Sequence, residues 1–321
     1  MFAQRAAALI LVLAGCRKDS LTDAWTKARE SSCEVRVGYR PTEGGFNLEP
    51  GGESWSYGTC VVWRDEWVVT ARHVAPTLEG LLIVDPTGVV RVPDKLIRDP
   101  LADVVVLHVP GLAAPGVSLS REPASQGQTV FAVGLAKGVT MAMSSGVISG
   151  VHISAADKPL DDSIQFDAQL NAGNSGGGIF DTRGDFVALA TSSLAKLDGT
   201  PGISWGLHLA VVEFSANSMI DKASVAYASI IDDITISHCR AQAALVERYK
   251  LEPGRNCVVV AQADAPPLQP GDQVLEVRGV PVEAVGQVKR LFLQGERGAP
   301  VPVVVRRMGV RKYVELATTP P

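Results

Sequence analysis

With 321 residues the chain is longer than one ordinary domain and comfortable for two. Hydrophobic residues make up 46% and charged residues 20%, which excludes a disordered chain. A net charge of -4, with no basic stripe interleaved with aromatics, excludes a nucleic-acid footprint, and no nucleic-acid partner is expected.

The first sixteen residues stand apart. Arg5 supplies a positive start, Ala6 to Ala14 is an apolar run too short to span a bilayer as a helix, and Ala14 and Gly15 precede Cys16. This reads as a secretory signal. The string Leu13-Ala14-Gly15-Cys16 also resembles the lipobox of bacterial lipoproteins, which implies cleavage before Cys16 and its acylation; several acyl chains together hold a protein at a membrane. Arg17, rather than Asp, follows the cysteine, and by that analogy the outer membrane is favoured, on its periplasmic face. The alternative is a plain secretory signal with a chance cysteine.

Residues 17–32 are polar and read as a tether with some helix from Leu21 to Arg29. Short β-type runs follow: Cys60 to Trp63, Trp67 to Thr70, Leu81 to Val84, Asp103 to Leu107, Thr129 to Ala132 and Phe186 to Leu189. Turn signals separate them at Arg64-Asp65-Glu66, Asp85-Pro86-Thr87-Gly88 and Asp181-Thr182-Arg183-Gly184. The spacing predicts an all-β barrel or sandwich from about 33 to 210, closed by a helix from Val211 to Lys222. A second unit begins near 225 and mixes strands with helical runs at Ala241 to Tyr249 and Val282 to Leu293.

Four cysteines remain besides Cys16. They allow three pairings, of which the simplest keeps each bond within its own unit, Cys33 with Cys60 and Cys239 with Cys257. Four free buried thiols are the alternative. None has the C-x-x-C spacing of a zinc or redox site, and no metal is expected.

The strongest chemical signal is Asn171-Ala172-Gly173-Asn174-Ser175-Gly176-Gly177. A nucleophilic serine needs a tight turn, where its own N–H and a nearby backbone N–H can point at one oxygen. Glycine lets the backbone approach without a Cβ in the way. Gly173 N–H and Ser175 N–H are the candidate donors for an oxyanion, each worth roughly 3–4 kcal/mol in a transition state. Gly173 to Gly177 also fits the G-x-S-x-G elbow of an α/β-hydrolase. That elbow needs a following helix and a downstream histidine, whereas here strands follow and the good histidine lies upstream. That histidine is His73, after Trp67-Val68-Val69-Thr70-Ala71-Arg72; imidazole titrates close to working pH. His108 and His152 lie in strand-like runs, His208 near a strand that resembles a substrate strand, and His238 in the second unit. Asp103, thirty residues after His73, is the candidate acid; Asp99 is close but precedes Pro100 and reads as loop chemistry.

In order along the chain, Gly58 to Val62, Val69 to Val74, Ala102 to Leu107, Ser145 to Ser149, Gln165 to Ala168, Gly173 to Gly177 and Gly202 to Leu207 resemble the HtrA/Deg family of chymotrypsin-like serine proteases. Leu268 to Leu275 with Arg278 to Val282 resembles that family's PDZ stretch. The resemblance covers roughly residues 33–318. It implies a mainly β protein: a double six-stranded β-barrel protease domain over 33–222, then a small α+β PDZ-like domain over 225–318, behind a 1–16 signal and a 17–32 tether.

It further implies cleavage of unfolded or misfolded exported polypeptides by a His-Asp-Ser acyl-enzyme mechanism, without ATP, metal or other cofactor. Trp205 and Gly206 match the family's strand that pairs with substrate backbone. The family's frequent homotrimer is an expectation from resemblance alone. Asn174 and Gln169 stand where trypsin-like enzymes place aspartates for activation and for binding Lys or Arg, so a small or medium apolar P1 residue is expected. Ile230 to Ile234 departs from the family: it has two acids and no glycine where a C-terminal carboxylate would bind. The runner-up function is a catalytically silent, envelope-anchored chaperone or peptide-binding protein; the third is an esterase using the same serine.

Overall fold

The computed structural model describes residues 20–42, 45–48, 54–153, 162–193, 202–224, 234–251, 257–263, 267–294 and 299–317. The expected signal, Cys16 and the acidic stretch 230–233 lie outside the described residues.

Helix α1 (Leu21–Glu30) opens with a reciprocal cap: Ser20 Oγ accepts from Asp23 N–H, and the Asp23 carboxylate accepts from Ser20 N–H. The helix expected from Leu21 to Arg29 is present, and it packs on the core. Ala24 and Ala28, one turn apart, are buried in the same core as Phe180, Phe186 and Val211. Lys27 bonds Asp185 at 2.6 Å, fixing the helix to the turn at Gly184.

The first sheet contains β1 (Ser32–Thr42), β2 (Gly45–Leu48), β3 (Ser54–Arg64), β4 (Trp67–Thr70), β5 (Leu81–Val84), β6 (Val90–Arg91), β7 (Lys95–Arg98) and β8 (Val105–His108). The order is β6-β5-β1-β3-β4-β8-β7, with β2 on β1. Among the described residues this is eight strands, not the six expected of the first barrel. The two extra strands are β2, which pairs with the far half of β1 from Tyr39 to Thr42, and β6, a two-residue strand on β5. The second sheet closes as a six-stranded barrel. It is formed by β9 (Thr129–Ala136), β10 (Thr140–Ile153), β11 (Ser163–Phe166), β12 (Gly178–Asp181), β13 (Phe186–Ser193) and β14 (Ser204–His208), in the order β10-β11-β14-β13-β12-β9.

The continuous apolar run in β3 is buried on both faces. Val61 joins a core with Val69, Val106, Phe131 and Phe180, while Cys60 and Val62 face another with Val35, Ile83 and Leu107. Two predicted turns use one device. Asp85 Oδ1 accepts from Thr87 N–H and Val89 N–H, and Asp181 Oδ1 from Arg183 N–H and Asp185 N–H. Gly88 and Gly184 complete these turns at φ +91° and +76°. Burial opposes ionisation of Asp85, but the bonds from Thr87 and Arg91 outweigh it and hold its pKa at about 2.

Helix α2 (Leu209–Lys222) packs Val211, Val212, Ala216 and Met219 against the core. The C-terminal unit comprises β15 (Ile234–His238), α3 (Ala243–Tyr249), β16 (Val258–Ala263), β17 (Gln273–Val277), β18 (Val280–Pro281), α4 (Val285–Leu293), β19 (Val301–Arg307) and β20 (Val310–Leu316). Its sheet runs β15-β16-β17-β19-β20, with β18 on β17. Both simplest disulfides form. Cys33 and Cys60 are cross-strand partners on β1 and β3, and Cys239 after β15 joins Cys257 before β16. Among the described residues no helix is long and apolar enough to cross a membrane.

Candidate active site

Strand β4 ends at Thr70, and a helical turn follows, with Val74 N–H donating to Ala71 O at 3.0 Å. His73 sits on that turn, its side chain about half exposed. Asp103 lies in a bend two residues before β8, the strand that pairs with β4, so the ladder brings the two together. His73 Nδ1 is 2.7 Å from Asp103 Oδ2, and His73 N–H donates to Asp103 Oδ1 at 3.1 Å. Arg72 ties the two loops together from the other side: its Nη1 donates to Asp99 O at 2.9 Å and its N–H to Asp103 O at 3.3 Å. Asp99 is fully buried and accepts from Leu101 N–H and Ala102 N–H at 2.8 Å each, shaping the bend that presents Asp103.

Two other histidines also have carboxylate partners. His108 Nδ1 is 2.6 Å from Asp94, and His152 Nδ1 is 2.8 Å from Asp162. A His–Asp pair is therefore not distinctive here by itself. What distinguishes His73 is its neighbour. A Cβ placed on Gly176 would lie 2.0 Å from Thr70 Oγ1 and 2.8 Å from Ala71 N, so the turn carrying Ser175 presses on the backbone just before His73.

That turn is built from successive tight bonds, Asn174 N–H to Asn171 O and Gly177 N–H to Asn174 O, both 3.0 Å. Gly173 and Gly176 take φ +96° and +80°. A Cβ at Gly173 would stand 2.0 Å from Leu135 O. Lys137 N–H donates to Ala172 O at 2.7 Å. Because a trans peptide opposes its C=O and N–H, that bond aims Gly173 N–H away from Lys137. The N–H groups of Gly173 and Ser175 have no acceptor among the described residues, whereas Asn174 and Gly176 N–H bond to Asn171 O and Ala190 O. Ser175 is followed by β12, not by a helix, so the α/β-hydrolase elbow does not apply.

Trp205 and Gly206 do not offer the expected free strand edge. Trp205 pairs with Gln165 on one side and Ser192 on the other, and Gly206 with Ile164 and Ala190. Closure of the barrel occupies both edges of β14 at these residues.

Residues 58–189 match the model of the trypsin-like peptidase domain. The chain is 28% identical over 278 residues to a "Probable periplasmic serine endoprotease DegP-like" of Pseudomonas fluorescens, covering 82% of this chain and 56% of that protein. A protein of the same name from Brucella suis is 30% identical over 169 residues, covering 51% of this chain and 33% of that protein. The chain is thus similar to DegP-like serine endoproteases, with the trypsin-like peptidase match confined to residues 58–189. A solved structure, the HtrA-type protease AlgW with a tripeptide, shares the fold at TM-score 0.69 and 22% identity, covering 94% of this chain and 98% of that one. The serine endoprotease from Yersinia pestis gives TM-score 0.60 at 21% identity, covering 94% of this chain and 97% of that one. The chain spans a little over half the length of the Pseudomonas relative.

A second cluster, which the sequence did not reveal, is centred on Asp162. Its side chain is fully buried, bonded by His152 and by Arg290 Nε at 2.7 Å, while His208 stacks on His152 with ring centroids 5.2 Å apart. Burial is the largest influence on the Asp162 carboxyl and opposes ionisation. The His152 bond and the charges of His152, His208 and Arg290 outweigh it and lower the pKa. Burial pushes the His208 imidazole down to about 4. Arg290 lies on α4, so this cluster joins the C-terminal unit to the second barrel.

Proposed function

We propose that the chain is a serine endopeptidase in which Ser175 is the nucleophile, His73 the general base and acid, and Asp103 the group that orients His73. His73 takes the Ser175 Oγ proton as Oγ attacks the scissile carbonyl. The oxyanion that forms is met by Gly173 N–H and Ser175 N–H. His73 then returns its proton to the leaving amine, and water repeats the sequence in reverse to release the acyl group. Asp103 stabilises the imidazolium without taking the proton. The observation that carries this reading is the Asp103–His73 pair set against a glycine turn with two N–H groups that have no acceptor among the described residues.

The substrate class we assign is unfolded or misfolded exported polypeptide, in keeping with the periplasmic naming of the Pseudomonas and Brucella relatives. Gln169 is exposed and carries no charge to receive Lys or Arg, which supports a small or medium apolar P1 residue. We assign 33–222 to the protease domain and 225–318 to a PDZ-like domain. A lipid anchor at Cys16, placement on the periplasmic face of the outer membrane and a homotrimer complete the reading.

A fluorophosphonate probe tests the site: intact-mass analysis should show one adduct per chain, mapped to Ser175. A peptide library should give cleavage after Ala, Val or residues of similar size. Adduct formation elsewhere, or a Lys or Arg preference at P1, would contradict the assignment.

A further inference from the structure

One residue outside the assigned triad bonds both the serine turn and the strand that leads to His73. Thr59 lies on β3 of the first sheet and is fully buried. Its N–H donates to Ser175 O at 2.9 Å. Its hydroxyl donates to Gly173 O at 2.7 Å and accepts from Leu135 N–H at 2.9 Å. Its carbonyl accepts from Thr70 Oγ1 at 2.7 Å, three residues before His73. Its methyl stands 3.1 Å from where a Cβ on Gly177 would be.

These bonds share a logic. The shape of the serine turn depends on which way its carbonyls face, because each carbonyl sets the direction of the N–H across its own peptide. Ala172 O is held by Lys137 N–H, Gly173 O by the Thr59 hydroxyl and Ser175 O by the Thr59 N–H. The peptides on both sides of Gly173 are thereby fixed, although glycine at φ +96° supplies no rigidity of its own. The hydroxyl is used once as donor and once as acceptor, so neither role is spare. Valine would fill the same volume and leave Gly173 O and Leu135 N–H buried without partners.

We propose that Thr59 is the positioning residue that holds the oxyanion-hole turn in its productive shape, reaching from the first sheet across to the second barrel. The proposal rests on the serine-endopeptidase reading. Thr59 touches no reacting atom; it acts through Gly173 and Ser175. Without its hydroxyl the Gly173–Asn174 peptide is no longer held, the turn samples other shapes, and chemistry slows while ground-state binding persists.

The test compares wild type, Thr59→Val and Thr59→Ser in the full chain, with active sites counted by fluorophosphonate titration. Turnover of a fluorogenic peptide is expressed per titrated site. Thr59→Val is expected to lower kcat per site about 10- to 100-fold, with KM within about twofold. Thr59→Ser keeps the hydroxyl and is expected to stay within about threefold of wild type. The pH profile of kcat should be unchanged, since the His73–Asp103 bonds remain. If Thr59→Val does not fold, Thr59→Ala removes the same hydroxyl with less bulk and is read in the same way. A merely structural role would reduce the titrated fraction and the melting temperature while leaving kcat per site intact, and that result would overturn the proposal. So would a Thr59→Ser variant as slow as Thr59→Val. If wild type itself takes up no probe, it is the protease reading that fails.

Discussion

Asp103 grips His73 through both carboxylate oxygens, Oδ2 on the ring at Nδ1 (2.7 Å) and Oδ1 on the backbone N–H (3.1 Å). One carboxylate therefore fixes the tautomer and the position of the turn together. Asp103→Asn keeps the size but offers an N–H₂ where an acceptor is needed. It is expected to lower kcat about 10³- to 10⁴-fold with little change in KM. Steady-state kinetics on a fluorogenic peptide check this; a loss below about tenfold would mean the pair is not used in the chemistry.

Gly173→Ala tests the turn from the other direction. The residue sits at φ +96°, and its new Cβ would meet Leu135 O, a backbone atom that cannot swing aside. The turn must move, and hydrolysis should fall at least about 100-fold. Circular dichroism and a melting curve run beside the kinetics separate a displaced turn from an unfolded chain.

Acid should weaken the fold through Asp162 and His208. The groups facing each other there are His152, His208, Asp162 and Arg290. His208 has a folded pKa of about 4 against an ordinary value of 6.5, so below 6.5 the unfolded chain binds a proton that the folded chain refuses. Stability is therefore lost as pH falls from 6.5 towards 4, by about 2 kcal/mol at pH 5. Asp162 acts in the same direction lower down. Its lowered pKa stabilises the fold above its ordinary value of 3.8, and that contribution goes as pH drops below it. His208→Asn retains a capping acceptor for Ala210 N–H without titrating, and should flatten the melting-temperature slope between pH 6.5 and 4. An unchanged slope would assign it to other groups.

Arg290 carries the link between α4 and the second barrel. Arg290→Met leaves the fully buried Asp162 with one charge partner fewer, at a cost of about 3–5 kcal/mol. Limited proteolysis should then cut between α2 and β15 faster than in wild type. Adding Asp162→Asn removes the stranded charge and should recover part of the loss. Equal cleavage rates in wild type and Arg290→Met would show that the contact does not hold the two units together.

The catalytic candidates were readable because chemistry restricts them. A serine among glycines, a histidine after a strand and an aspartate before the next strand leave few alternatives, and the β4–β8 ladder then joins the last two. Thr59 gave no such signal: a threonine in a β-branched run is an ordinary strand residue, and only folding reveals that its hydroxyl meets Gly173, 114 residues away. Asp162 was hidden likewise, since its partner Arg290 lies 128 residues on. The assignment of Trp205 and Gly206 failed because a motif shows which strand is present but not which of its edges is free; register and closure decide that. The helix of α1 was expected from Leu21 to Arg29, but its docking was not, because a face of Ala24, Trp25 and Ala28 is too small to stand out in a polar stretch.

The proposed function turns on whether Ser175 cuts peptide bonds. Casein hydrolysis by the purified chain, beside a Ser175→Ala variant of matched melting temperature, tests it most directly. Wild type should give fragments and the variant none. Fragments from both would show that Ser175 is not the group that cuts, and fragments from neither across the pH range in which the protein stays folded would favour a binding protein that keeps the fold without the chemistry.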